Sequence, residues 1–321
     1  MKLSVIGAGA FGTAIAITFA RGGQDVTLWG RDIDFINQMK KTKVNKLYLP
    51  DVPLPKEINI TGDLNEALRS DIICLAVPMQ KLSAVLSLFD INLANRSLVA
   101  CCKGIDLETS EGPTAIVKKH FSKSIVAVLT GPSFARDIAD GLPTALTLGC
   151  EYPDEGERLQ AILSTKTLRI YRTTDVIGAE LGGALKNVIA IACGVAIGAG
   201  YGDSARAALM TRGYVEMRKL AMSLGAQEKT LSGLSGFGDL SLTCMSSSSR
   251  NFSYGVSLGA GAHFDPTITL EGISTAKAAL KHPKLKPVDM PIIRLVHRLV
   301  NGTVSPIDAM EELMTRPKRE E

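Results

Sequence analysis

The chain opens on a stretch that leaves few folds available to it. Residues 2–12 read Lys-Leu-Ser-Val-Ile-Gly-Ala-Gly-Ala-Phe-Gly. An apolar run too short for a helix meets a Gly-x-Gly-x-x-Gly turn at Gly7, Gly9 and Gly12. Helical spacing of Ala14, Ile15, Ile17, Thr18 and Phe19 then runs on to Arg21. This order predicts a strand, a tight turn and a helix. The unpaired N–H groups and the positive dipole end of that helix make an anion site. Gly7 is read as making the turn, Gly9 as admitting a pyrophosphate close to the backbone, and Gly12 as letting helix and strand pack. The spacing alone is common, so the residues after the helix decide whether it binds a dinucleotide.

Gly22-Gly23 end the helix, and Asp25-Val-Thr-Leu-Trp29 reads as a second strand. Folds that take NAD usually close this strand on an acid that binds the adenosine ribose. Here the chain continues Gly30-Arg31-Asp32, with Arg31 about where the acid would stand. A cation there accepts the 2′-phosphate of NADP. The competing reading is a solvated arginine beginning a helix beside Asp32.

Short apolar runs then alternate with helical stretches. Strands are predicted at 71–77, closed by Pro78, at 97–102, at 124–130, at 144–148 and at 168–171. Such alternation predicts an α/β fold with a doubly wound, Rossmann-type parallel sheet covered on both faces. Ligands of such sheets bind outside the C-terminal strand ends, which points to Lys103 and to Gly131–Ser133 for a substrate. From about Asp175 the strand-like runs stop and helical periodicity takes over. The predicted domains are 1–175, dinucleotide-binding, and 176–321, mostly α-helical and substrate-binding or catalytic. Helix breaks fall near Gly200–Asp203, Ser232–Gly238 and Pro283–Pro287, and Arg316–Glu321 reads as a solvated tail.

Composition narrows the function classes. Apolar residues make up 45% and charged residues 21%, the balance of a globular protein. The net charge of +4 comes without a Lys/Arg stripe, so no nucleic-acid partner is expected. The six cysteines show no Cys-x-x-Cys pair and no zinc spacing; they read as buried thiols, and no metal is expected. Lys2 and the Ala-rich stretch after it could pass for a secretion signal. The glycine turn, and Arg21-Gly22-Gly23 where a cleavage site would lie, argue against one. Val188–Gly202 is too short to span a bilayer and reads as a buried helix, with Gly194-x-x-x-Gly198 marking close packing. These readings together predict a cytoplasmic protein with no transmembrane segment. The apolar content of the second domain allows a homodimer.

Four histidines (His120, His263, His282 and His297) sit among charged or loop-like neighbours and make poor acid/base candidates. Lys186 is the only charge between Glu180 and Asp203. Buried there, it would have its pKa lowered by desolvation and by a second cation such as Lys103, toward the range of a general acid/base. The alternative is a lysine that snorkels to the surface. Asp239 is a lone carboxylate in the apolar, glycine-rich stretch Ser232–Cys244, so a cation or a substrate hydroxyl must satisfy it. Ser246-Ser-Ser-Ser-Arg250-Asn251 reads either as a flexible linker or as a phosphate clamp.

Seven motifs occur in order: Gly-Ala-Gly-Ala-Phe-Gly at 7–12, Cys-Lys-Gly at 102–104, Gly-Pro-Ser-Phe-Ala at 131–135, Leu-Lys-Asn-Val at 185–188, Gly-Asp-Leu-x-x-Thr-Cys at 238–244, Ser-Arg-Asn at 249–251 and Glu-Gly at 271–272. Across roughly residues 1–315 the chain resembles the bacterial-type NAD(P)-dependent sn-glycerol-3-phosphate dehydrogenases. The resemblance implies Lys186 as general acid/base, with Lys103 and Asp239 holding the reacting oxygens. It implies substrate binding by Gly131, Ser133, Ser249, Arg250 and Asn251. It implies cofactor binding by the glycine turn with Ala10 and Phe11, and by Arg31, Tyr48, Lys103, Ala135, Arg250 and Glu271. The implied enzyme is cytoplasmic, uses NADP or NAD with a slight tilt to NADPH, and reduces dihydroxyacetone phosphate for glycerophospholipid synthesis. Two positions depart from the family pattern. A plain serine run leads into Arg250-Asn251, which leaves the substrate-binding serine open. Asp32 stands where a second basic residue is frequent, which weakens the preference for NADPH. The rival readings are a two-domain hydroxyacid or ketopantoate-type reductase, and a regulator that binds the nucleotide without turnover.

Overall fold

In the computed structural model, which describes residues 1–314, strands and helices alternate from the first residues. The chain runs β1 (Lys2–Ile6), α1 (Ala10–Arg21), β2 (Asp25–Trp29), α2 (Ile33–Thr42), β3 (Val44–Asn45), β4 (Leu49–Pro53), β5 (Asn59–Thr61), α3 (Leu64–Ala67), β6 (Ile72–Leu75) and α4 (Leu82–Leu86). It continues through β7 (Ser97–Ala100), α5 (Pro113–His120), β8 (Ile125–Thr130), α6 (Ala135–Asp140), β9 (Thr144–Cys150), α7 (Pro153–Leu163) and β10 (Leu168–Thr173). The remaining helices are α8 (Val176–Gly198), α9 (Gly202–Ser223), α10 (Glu228–Leu231), α11 (Asp239–Met245), α12 (Arg250–Gly259), α13 (Glu271–Lys281), α14 (Pro291–Val300) and α15 (Pro306–Met314). One compact unit comprises Met1–Lys103 and Glu111–Glu180; the other comprises Gly104–Ser110 and the chain from Leu181 onward. The tail 316–321 lies outside the described residues.

The first unit is built on an eight-stranded sheet of order β10-β9-β8-β7-β6-β1-β2-β5. From β5 to β8 all neighbours are parallel. In chain order these six strands read 3-2-1-4-5-6, the doubly wound arrangement whose order reverses between β1 and β6, where a dinucleotide is received. Alternate residues feed the two faces. Leu3, Val5, Ile72, Cys74, Val99 and Ala127 join the core beneath α1. Ile6, Ile73, Leu75, Leu98, Ala100 and Val126 join the core beneath α4 and α5. Each fully buried aliphatic side chain contributes roughly 1.5–3 kcal/mol.

Two features differ from the all-parallel sheet that the alternation predicts. β9 runs antiparallel to β8, while β10 is parallel to β9. The six-residue α6 does not carry the chain back along the sheet, so β9 starts at the end where β8 finishes. The second feature is an unforeseen two-stranded ribbon of β3 and β4, antiparallel with an irregular register. Its strands are too short and too proline-rich for period-two patterning to mark them.

The second unit is helical, around a core drawn from α8, α9, α11, α13 and α14. Among the described residues α8 alone is long and apolar enough to cross a membrane, and 83% of its most apolar window is buried within the protein. Its small residues let α12 seat against it. A Cβ on Gly194 would lie 2.9 Å from the Cα of Gly255, and Gly198 and Gly259 likewise face backbone of the opposite helix. The Gly194-x-x-x-Gly198 spacing therefore marks close packing, as read from the sequence. The carboxylate of the buried Glu216 accepts from the N–H groups of Ile292 and Ile293, at 2.9 Å each, and caps α14. All six cysteines are buried and unbridged.

Candidate active site

The glycine turn leaves a cradle at the amino end of α1. Gly7 has φ +117°, a conformation open to glycine, and its N–H donates to the carbonyl of Trp29 at 2.9 Å. A Cβ on Gly12 would overlap the carbonyl oxygen of Gly7, whereas a Cβ on Gly9 would meet nothing within 4 Å. No side chain caps α1 and no acid occupies its first turn. The N–H groups of Ala10, Phe11 and Gly12 therefore open onto space that a side chain at residue 9 would fill, which fits a pyrophosphate.

Beyond β2, Arg31 is exposed and the Asp32 carboxylate accepts from Phe35 N–H at 3.0 Å. Asp32 is thus the N-cap of α2, leaving Arg31 as the charge presented where a ribose-binding acid would stand. Tyr48, between β3 and β4, is half exposed and sets its ring edge-on to Phe35 at 5.7 Å. At the C-terminal ends of β7 and β8, Lys103 Nζ donates to the Gly131 carbonyl at 3.0 Å and Ser133 Oγ reaches the same oxygen at 3.4 Å. Gly131 holds φ +136°. Ala135 opens α6 just beyond, with Phe134 as its cap residue. The structure thus brings Lys103, Gly131 and Ser133 together on one carbonyl.

In the second unit, α8 presents Lys186 at 6% exposure, which excludes the snorkelling alternative. Its ammonium donates to Asp239 Oδ1 and to Thr243 Oγ1, the latter at 2.6 Å. The Thr243 hydroxyl donates in turn to the Asp239 backbone carbonyl at 2.6 Å. Asp239 is fully buried and opens α11 directly after a π-helical turn, Leu234–Gly238. Asp239 and Thr243 stand four residues apart on one helix face, so a single turn of α11 supplies both acceptors. Burial and the adjacent Cys193 push the Cys244 thiol well above its usual range, so it is neutral beside the pair.

The serine run is a built turn and not a linker. Ser249 is buried and caps α12, its Oγ accepting from Phe252 N–H at 3.2 Å; Ser246 Oγ accepts from Ser248 N–H at 3.2 Å. Arg250, the first helical residue, is exposed. Asn251 is buried, and its Oδ1 accepts from Gly272 N–H at 3.1 Å, tying α12 to the first turn of α13, where Glu271 stands. Among the four serines, Ser249 is the one buried at the helix start.

At the boundary of the first unit, the Glu180 carboxylate accepts from Thr114 N–H at 2.7 Å and caps α5. Burial pushes it up to about 7, against the lowering pull of the Thr114 hydrogen bonds. Of the residues expected to hold a cofactor, Gly7, Gly9, Ala10, Phe11, Gly12, Arg31, Tyr48, Lys103 and Ala135 belong to the first unit, and Arg250 and Glu271 to the second. Sequence reasoning passed over Thr243 as a partner of Lys186, although its four-residue spacing from Asp239 was there to read.

Comparison with known proteins identifies the family. Residues 2–155 match the family described as NAD-dependent glycerol-3-phosphate dehydrogenase N-terminus, and residues 175–311 match the corresponding C-terminus. A glycerol-3-phosphate dehydrogenase [NAD(P)+] of Ruegeria sp. (strain TM1040) is 53% identical over 321 residues, covering 100% of both chains. A crystal structure of glycerol-3-phosphate dehydrogenase from Coxiella burnetii has TM-score 0.91 and 33% identity, over 98% of this chain and 99% of that one. A ketopantoate reductase structure from Ralstonia eutropha, at 14% identity, TM-score 0.62, and 97% and 100% coverage, shares the fold alone. Both domains and the full length agree: the chain belongs to the NAD-dependent glycerol-3-phosphate dehydrogenase family.

Proposed function

We propose that this protein interconverts dihydroxyacetone phosphate and sn-glycerol 3-phosphate, working mainly in the direction of reduction. The observation that carries the reading is the buried Lys186 ammonium, held by Asp239 and Thr243. When bound, the reduced nicotinamide supplies the hydride that adds to the carbonyl carbon. Lys186 donates a proton to the carbonyl oxygen as it gains charge, and takes one from the hydroxyl in the reverse direction. Asp239 and Thr243 fix the ammonium's direction and keep it protonated until transfer. Lys103, anchored on the Gly131 carbonyl, polarises the substrate oxygen, and Gly131 and Ser133 line its position.

The phosphate takes no part in bond making. Its binding energy orients the reacting carbonyl, and Arg250, the α12 N-terminus, Ser249 and Asn251 are the donors suited to hold it. The glycine turn with Ala10 and Phe11 holds the cofactor's pyrophosphate, Arg31 and Tyr48 its adenosine end, and Ala135 and Glu271 further contacts. Arg31 favours NADPH over NADH. The reading includes a cytoplasmic enzyme supplying glycerophospholipid synthesis, and a homodimer whose mass would be twice 34.2 kDa by light scattering. The test is absorbance at the reduced-nicotinamide band on adding dihydroxyacetone phosphate, with NADPH and NADH compared. Oxidation is expected; its absence with both cofactors, or turnover only with 2-oxo acids, overturns the reading.

A further inference from the structure

A fully buried amide lies behind the cofactor grip, on the ribbon that the sequence did not reveal. Asn45, in β3, is 0% exposed. Its Nδ2 donates to the carbonyl of Ala8, inside the glycine turn, at 3.0 Å, and to Thr13 Oγ1, in the second turn of α1, at 2.7 Å. Its Oδ1 accepts from Tyr48 N–H at 3.0 Å. Both amide hydrogens and the carbonyl are therefore committed, and each partner belongs to an element already assigned to the cofactor. Thr13 is itself 0% exposed, so neither end of that bond can be replaced by water. The ribbon is also held from outside, where Arg136 Nη1 donates to the Pro50 carbonyl at 3.1 Å.

We propose that Asn45 is a cofactor-positioning residue: one amide sets the glycine turn that receives the pyrophosphate and, through the Tyr48 backbone, the ring that meets the adenosine end. The bond to the Ala8 carbonyl fixes the peptide plane preceding Gly9, and with it the direction of the turn's N–H groups. The bond from Tyr48 N–H fixes where that residue leaves the ribbon. The two contact regions are thereby correlated before the cofactor arrives, which lowers the ordering cost of binding. The inference rests on the reading that the glycine turn and Tyr48 hold NAD(P).

The test is direct binding of NADPH, monitored by its fluorescence, to the parent protein and to Asn45→Ala, Asn45→Asp, Tyr48→Ala and Thr13→Val, with kcat at saturating cofactor. Loss of three hydrogen bonds, two of them fully buried, predicts Kd raised about tenfold or more in Asn45→Ala, with kcat at saturation nearly unchanged. Asn45→Asp keeps the acceptor for Tyr48 but sets an oxygen against the Ala8 carbonyl, so it should weaken binding while leaving the effect of Tyr48→Ala intact. Combining Asn45→Ala with Tyr48→Ala should be non-additive. A merely structural residue would lower the melting temperature without this split. Should both Asn45 variants fail to fold, Thr13→Val carries the test, with Kd expected to rise several-fold, about the value of one hydrogen bond. Unchanged Kd in the folded variants overturns the inference, whereas a parent protein that does not bind NADPH overturns the underlying reading instead.

Discussion

The ammonium of Lys186 is hydrogen-bonded to the carboxylate of Asp239, fifty-three positions further along the chain, and neither side chain exceeds 7% exposure. An ion pair this dry gives little net stability, because removing two charges from water costs about as much as their attraction returns. Its place in the fold is therefore not explained by stability alone, which accords with the acid role proposed for Lys186.

Removing one partner is expected to affect stability and rate separately. Lys186→Ala should lower kcat by ~10²–10⁴, the ordinary worth of a positioned acid, while NADPH binding stays near the parent value. It should also cost about 3–5 kcal/mol in urea unfolding, because Asp239 is left as an uncompensated buried charge. Retained turnover in folded Lys186→Ala protein would rule the acid assignment out.

Arg250 is exposed at the start of α12 and should act on the substrate through its phosphate. Arg250→Ala is expected to lower kcat/KM for dihydroxyacetone phosphate roughly 10–100-fold, the worth of a hydrogen bond to a charged group. The same variant should leave the poor rate with unphosphorylated dihydroxyacetone nearly unchanged. If it still strongly prefers the phosphorylated substrate, the clamp lies elsewhere.

Arg31 should set cofactor choice. Because Asp32 is spent on capping α2, the repulsive element against NADPH must be introduced at residue 31 itself. Arg31→Glu should move the NADPH/NADH ratio of kcat/KM toward NADH by about tenfold or more, with little change in melting temperature. An unchanged ratio would return Arg31 to the solvated residues.

Glu180 gives the fold a pH dependence of unusual sign. Burial raises its carboxyl to about 7 from an ordinary 4.5, so the native state holds a proton that the unfolded chain has lost. Stability on this account is greatest below the unfolded value, falls as pH rises through the window up to about 7, and stays low above it. Part of the residue is exposed, so screening leaves a difference of about 1–3 kcal/mol. Glu180→Gln should flatten urea stability between those limits and exceed the parent at higher pH. A parent profile that rises through this window, matched by Glu180→Gln, would contradict the account.

Much of this chemistry was legible because it rests on local rules. The turn at Gly7–Gly12, the strand Asp25–Trp29, and the isolation of Lys186 and Asp239 in apolar sequence each come from spacing alone. The placement of Lys103 and Gly131–Ser133 at strand ends came from the doubly wound pattern. What stayed hidden depends on the partner chosen in space. Asn45 sits in a two-residue strand with no periodicity, and its importance arises from meeting Ala8 and Thr13 more than thirty positions earlier. The reversal of β9 was invisible because a strand's direction leaves no mark on its own residues. Ser249 shows itself as a helix cap only once α12 is seen to begin at Arg250.

The glycine contact between α8 and α12 has a further consequence. Lys186 lies two turns before Gly194 on one helix, and Arg250 just over one turn before Gly255 on the other. Where the helices meet, main chain touches main chain, so no side-chain rotamer sets the distance between the two helix backbones at this contact. The spacing of the backbones that carry Lys186 and Arg250 is thus set by peptide geometry, and a Cβ added at Gly194 or Gly255 would change it without touching either side chain.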